Sequence, residues 1–234
     1  MTPIPRLPNY LPAPISYPLF KYGNPQNAES LVQRGEIRIG TLLEFRDLEQ
    51  HENPEIGDGT EGWYDGLGDF DCVSHVRIQA DNQWIYCVSQ SFDEALMEKW
   101  GGACVEIIGD GFFEVVTVAL GDRVECWCLS RVQYYRPGPL HQGQKLVTGK
   151  GNVPLSCFTK RELFAHQDEV RAVWECPHGR QPHVRRQPPP GGGSTEFFAE
   201  NQRWLDERYE YEKQRMAPLV LAIPALTPLV RRFR

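Results

Sequence analysis

The segment 19–40 constrains this chain more than any other. An apolar strand, Leu19-Phe20-Lys21-Tyr22, runs into Gly23-Asn24-Pro25, a helix start in which Asn24 caps and Pro25 occupies the first turn, where its missing N–H costs nothing. Ala28, Leu31 and Val32 fall on one face of that helix, and Gly35 stops it. Glu36-Ile37-Arg38-Ile39-Gly40 then alternates as a half-buried strand does. Strand, helix, strand and polar loop in this order suit one wall of a nucleotide pocket.

Around that unit the 234 residues, 41% hydrophobic, read as one α+β domain with insertions. Six prolines in residues 1–18 predict an extended arm. Residues 41–71, rich in Gly, Asp and Glu and without sustained periodicity, predict a long polar loop of the functional or disordered kind. Strands are expected over 84–89, 103–108, 113–119, 131–135 and 169–175, and short helices over 93–100 and 158–164. An insertion over 178–216 combines the Pro188–Gly193 linker with a charged helix over 196–216, and 217–234 supplies a closing strand and a basic tail.

The net charge of −6 is unevenly spread. Carboxylates dominate 44–71, whereas 178–186 and the terminal Arg231-Arg232-Phe233-Arg234 are basic, a polarity that steers an anionic partner to one side. No run approaches the about 18 apolar residues of a membrane span, and the N-terminus lacks a secretory pattern, so a cytoplasmic protein without membrane contact is expected. Seven cysteines among apolar residues predict reduced, mostly buried thiols. Zinc on Cys126, Cys128, Cys157, Cys176 and His178 would need ligand pairs that the spacing does not provide. Asp58, Glu61, Asp65, Asp69 and Asp71 lack the order of a calcium loop, so no metal is expected.

Several short blocks carry a resemblance. Phe20-Lys21-Tyr22, Ile37-Arg38-Ile39-Gly40, Phe45-Arg46-Asp47, Ile85-Tyr86-Cys87-Val88-Ser89, Trp100 with Cys104-Val105-Glu106-Ile107, Val132-Gln133-Tyr134, and Phe158-Thr159-Lys160 with Asp168-Glu169-Val170-Arg171 span most of 19–175. They resemble an uncharacterised bacterial domain family whose members open with Tyr-Lys-Tyr, carry Phe-Asn-Asp-Pro and later show a Lys, Glu and Arg cluster. That family is similar in turn to the ADP-ribosyltransferase fold, which includes bacterial toxins that modify nucleic acid. The resemblance implies a split mixed β-sheet with short helices and long loops, and NAD as substrate. It also implies a protein or nucleic-acid acceptor, and a toxin or phage-defence role with an antitoxin as a partner.

By the same resemblance Glu169 is the catalytic carboxylate. Lys21 and Tyr22 take the first-strand position, and Ser89 with Gln90 and Ser91 the middle one; on chemical grounds Arg38, Arg46 or Arg171 suits the pyrophosphate, and Tyr22 or Phe45 suits stacking on the nicotinamide. The chemistry suits these types: cleaving nicotinamide from ribose passes through an oxocarbenium-like state that a carboxylate stabilises, and arginine matches phosphate oxygens. Here Phe45-Arg46-Asp47 stands for Phe-Asn-Asp-Pro, and Ser89-Gln90-Ser91 for Ser-Thr-Ser. These departures favour the rival reading, a non-catalytic macromolecule-binding domain on the same scaffold. A magnesium nuclease using the carboxylates of 47–71 is a third reading with poor spacing. Taken residue by residue, the alternatives are plain: Glu169 pairing with Arg171, Lys21 snorkelling and Tyr22 packing a core edge.

Overall fold

The first strand, β1 (Leu19–Gly23), turns through α1 (Pro25–Arg34) into β2 (Glu36–Thr41). The Asn24 side chain accepts from the Asn27 N–H at 2.8 Å and caps α1. Gly35 ends the helix with φ 63°, and a Cβ there would overlap the carbonyl of Ile223, so glycine is required twice over. The computed structural model describes residues 14–45, 63–67, 75–79, 83–135, 155–176 and 216–233, with Ile4, Arg6, Arg203, Glu207, Glu210, Tyr211, Lys213 and Gln214. The remaining elements are β3 (Trp63–Leu67), β4 (His75–Gln79), β5 (Trp84–Ser89), α2 (Glu94–Lys99), β6 (Ala103–Ile107), α3 (Gly111–Leu120), β7 (Cys126–Arg131), β8 (Gln133–Tyr135), β9 (Thr159–Arg161), β10 (Glu169–Glu175), β11 (Leu219–Ala222) and β12 (Val230–Arg232). This is an α+β architecture with a mostly antiparallel open sheet and a few short helices.

Among the described residues the main sheet has eight strands, and its centre is β5. Along one edge β5 pairs with β10 over its whole length, from Glu169↔Ser89 to Trp174↔Trp84, and β7 lies beyond β10. Along the other edge β5 meets two strands in succession: β2 at Gly40↔Ile85 and Thr41↔Trp84, then β1 at Phe20↔Ser89. Between those contacts Tyr86, Cys87 and Val88 have no strand on that edge among the described residues, so the sheet forks. One prong is β1, β6 and β12, and the other is β2 and β11. The last segment ties them, since β11 pairs with β2 and β12 with β6, joined by the 3-10 turn Pro224–Leu229.

Strand alternation divides the side chains between the two faces. Leu19, Ile37, Val88, Ala172 and Trp174 pack with Leu31 of α1 and with Phe112, Phe113 and Val116 of α3 in the main core. On the opposite face Tyr22, Leu96, Met97 and Cys104 form one apolar cluster, and Ile85, Cys126, Cys128, Cys157, Phe158 and Val173 another.

Five expectations are corrected here. Residues 113–119, expected as a strand from their β-branched and aromatic content, belong to α3: Phe112, Phe113, Val116, Thr117 and Leu120 are the buried stripe of a helix, and tertiary packing overrides propensity. The loop over 41–71 contains β3, which pairs with β4. Residues 158–164 form β9 and part of a 3-10 turn rather than one helix. Among the described residues every ladder of the main sheet is antiparallel, a lone parallel bridge joins Arg6 to Trp127 of β7, and the parallel ladder joins β8 to β9 outside the sheet. The tail also holds β12, because Arg231 and Arg232 complete the β6 edge. Most of the arm over 1–18, the linker Pro188–Gly193 and most of the charged helix lie outside the described residues.

Candidate functional site

Strand β10 begins at Glu169, and the register sets this residue beside Ser89 of β5, which is beside Phe20 of β1. Three neighbouring strands thus bring Phe20, Ser89 and Glu169 into one row on one face. The carboxylate is 4% exposed and both its oxygens are used. Oε1 accepts from Arg171 Nε at 2.7 Å, and Oε2 accepts from Lys160 Nζ at 3.2 Å and Arg171 Nη2 at 3.4 Å. The guanidinium also donates to the Cys157 carbonyl at 2.7 Å, and Lys160 to the Gln167 side chain at 2.9 Å while lying over the Phe164 ring. Such a cluster is stable only while each charge keeps its partners.

Burial pushes the Glu169 carboxyl up, but the charges of Arg171 and Lys160 and hydrogen bonds from Arg171 and the Cys87 thiol outweigh it and hold it well below the ordinary carboxylate range. Burial, reinforced by the Glu169 charge, pushes the Cys87 thiol up, so it serves here as a donor and not as a nucleophile. The lowered carboxyl fixes a sign. Its contribution to stability is full above the unfolded glutamate value of 4.5 and is lost as pH falls below it toward the folded value. Urea unfolding of wild type and Glu169→Gln across that range should show a shallower acid decline in the variant; equal slopes would remove Glu169 from the acid limb.

A polar rim continues from this row. Asp168, left-handed at φ 41°, accepts from Arg131 at 2.6 Å and from the Ser91 hydroxyl at 3.0 Å. The Glu169 N–H donates to the Tyr134 hydroxyl at 2.8 Å. Tyr22 donates to the Ser91 carbonyl at 3.1 Å and accepts from the Asp93 N–H at 2.7 Å, and burial pushes its phenol up to about 12. Tyr22, Ser89, Ser91, Glu169 and Arg171 therefore stand on one side of the sheet.

Lys21 does not join them. Alternation turns it to the α1 face, where its ammonium lies 4.5 Å from the Tyr86 ring and returns to the fork to bond the Cys87 carbonyl at 2.8 Å. That carbonyl lies where β5 lacks a strand, and the lysine satisfies it. The fork holds a cavity of about 150 Å³ lined by Lys21, Tyr22, Arg38 and Tyr86 among others, and Glu169 is not on its wall. Arg38 pairs with Glu44. Phe45 packs partly buried against the cluster of Ile85 and Cys128, and Arg46 lies outside the described residues.

No family model, curated protein or solved structure matches the chain. Among the described residues no group of His, Cys, Asp and Glu has the closeness of a metal site, and no helix is long and apolar enough to cross a membrane. Cys126 and Cys128 share a face as their spacing predicts, and Cys126 bonds Glu175 at 2.9 Å. Of the carboxylates weighed for a nuclease, Asp58, Glu61, Asp69 and Asp71 lie outside the described residues.

Sequence reasoning did not single out Lys160, Asp168, Arg131, Tyr134, Cys87 or Tyr86 as site residues. Lys160 had a signal in the block Phe158-Thr159-Lys160, but the irregular turn Glu162–Gln167 separates it from Glu169 and hides their contact. For Cys87 the signal was its place two residues before Ser89, on the same strand face.

Proposed function

We propose that this chain is an NAD-dependent ADP-ribosyltransferase-like protein that modifies a macromolecule, protein or nucleic acid, as a cytoplasmic toxin or phage-defence effector. The observation that carries the reading is the row Phe20, Ser89 and Glu169 across β1, β5 and β10, with Tyr22 and Ser91 beside it. First strand, middle strand and late glutamate then meet on one face, beside a sheet that opens into a fork. In this reading Glu169 faces the nicotinamide ribose and stabilises the positive charge that develops as the glycosidic bond breaks. Arg171 is a positioning residue that holds the carboxylate ionised, and Arg38, half exposed at the fork, contacts phosphate.

Incubation of the protein with labelled NAD and protein, RNA and DNA acceptors tests this. Wild type is expected to transfer label and Glu169→Gln to lose at least about a hundredfold of the rate, the scale of a removed electrostatic stabiliser. Transfer that survives in a folded Glu169→Gln variant removes the catalytic assignment.

One observation favours the second reading, a non-catalytic macromolecule-binding domain: both Glu169 oxygens are already bonded, in a residue that is 4% exposed. Calorimetry with NAD separates the two, since the binding-domain reading requires neither NAD affinity nor NAD hydrolysis.

A further inference from the structure

The cavity in the fork has a composition that the proposed transferase site does not explain. Its walls combine the apolar side chains of Ala28, Leu31, Ile37 and Val105 with polar groups, Lys21 and Tyr86 among them. Lys21 spends one donor on the Cys87 carbonyl, and its ammonium has no other acceptor among the described residues. Tyr86 is 3% exposed, and its hydroxyl has no hydrogen-bond partner among the described residues. The half-buried Lys21 ammonium and the Tyr86 hydroxyl thus carry donors that an acceptor entering the cavity can take. Both stand on the α1 side of the sheet, away from the Glu169 row.

The other charges nearby are arranged to leave that acceptor position open. Glu36, the acid on the lining, pairs with Arg34 at 3.5 Å, and Arg38, also on the lining, adds positive potential while pairing with Glu44. Asn27 and Ser30 of α1 supply neutral polar edges at the wall. An anion is therefore the species whose charge this site lacks.

Size and lining narrow its class. A volume of about 150 Å³ equals that of an engineered apolar cavity that holds benzene, and is far too small for a dinucleotide. A carboxylate accepts and never donates, which matches donors on Lys21 and Tyr86, and an apolar body covers the wall of Ala28, Leu31, Ile37 and Val105, which inorganic phosphate would leave uncovered. The geometry points to a binding site in the fork, between β1, α1 and β2, for a small monocarboxylate with an apolar body, its carboxylate on Lys21 and Tyr86 and its body against Leu31, Ile37 and Val105. The site goes beyond the transferase reading and does not require it. Burial, foremost, lowers the affinity of the Lys21 amine for its proton, and a carboxylate partner reverses that effect.

The test is a titration of the full-length ¹⁵N-labelled protein, followed by NMR, with benzoate, its neutral analogue benzyl alcohol, and inorganic phosphate. Benzoate is expected to give saturable shifts concentrated at Lys21, Asn27, Leu31, Ile37 and Val105. Benzyl alcohol and phosphate should bind on the order of tenfold more weakly or not at all, the scale of a charge-assisted hydrogen bond. Lys21→Met should remove the preference for benzoate, and Tyr86→Phe should weaken benzoate several-fold. Glu169→Gln, which abolishes label transfer if the proposed function holds, should bind benzoate as wild type does, so the two readings fail separately. Absence of saturable shifts at these amides, or equal binding of benzoate and benzyl alcohol to wild type, would overturn the site even if Lys21→Met did not fold.

Discussion

A chain ending at Ala217 is expected not to fold. The segment beyond it supplies β11 to one prong of the sheet and β12 to the other, and its 3-10 turn packs on α1 and α3. Ile223, Leu226 and Val230 are buried by 92% or more, and each is worth about 1.5–3 kcal/mol of burial. Together they approach the about 5–15 kcal/mol that holds an ordinary domain together. Lost with them are the Ile223 N–H bond to the Gly35 carbonyl at 2.9 Å and the Ile108 N–H bond to the Leu229 carbonyl at 3.0 Å. The cut retains the Ala217 carbonyl that accepts from the Trp84 indole, so the loss is of the strap itself. Near-ultraviolet circular dichroism and urea unfolding of the two chains decide this. A cooperative transition with an unchanged midpoint in the shorter one would show that the prongs hold without it.

Arg171→Met is expected to destabilise the protein by about 3–5 kcal/mol, because it leaves a buried carboxylate short of its principal partner. Arg171 is 1% exposed and bonds Glu169 through Nε and Nη2 and the Cys157 carbonyl through Nη1, in a place closed to bulk solvent. Lys160 and the Cys87 thiol remain on the carboxylate. Adding Glu169→Gln to Arg171→Met should cost less than the sum of the two single changes, since residues in one network couple. The urea midpoint at constant slope measures each value. A shift for Arg171→Met under about 1 kcal/mol, the worth of an exposed pair, would mean that the cluster is solvated and does not anchor β10.

The opening unit was legible because every signal in it is local. Asn24, Pro25 and Gly35 mark the limits of α1 through caps that need no distant partner, and the alternation in β2 is read residue by residue. The division of β10 into a Val170, Ala172 and Trp174 face and a Glu169, Arg171 and Val173 face was legible for the same reason, and the structure buries the first set in the main core. Segment 113–119 was misread because Phe113, Val115, Val116 and Val118 favour extended backbone, while the helix they form is selected by the sheet it covers. Strands β3 and β12 were missed because short, polar sequences such as Val230-Arg231-Arg232 become strands only when an edge accepts them.

The candidate site divides in the same way. The sequence suggested Glu169 with Arg171 as a pair on one strand face and held Lys160 only as part of a resemblance, with no sign that Asp168 links Arg131 to Ser91. It gathered Lys21 and Tyr22 into one position, whereas neighbouring residues of a strand face opposite ways: Tyr22 looks toward the α2 cluster and Lys21 into the fork under α1.

What the sequence determined by itself was therefore what lies within one element: caps, strand periods, the charge on each face and the thiols set among apolar neighbours. What only the tertiary structure decided was which elements meet: the fork at β5, the strap that closes it, the cations that neutralise Glu169 and the cavity left beside Lys21. The physical reason is range, since caps and alternation are fixed by neighbours a few residues apart, while strand pairing and charge burial depend on segments such as 19–23, 84–89, 169–175 and 219–232, whose encounter is selected by the free energy of the whole fold.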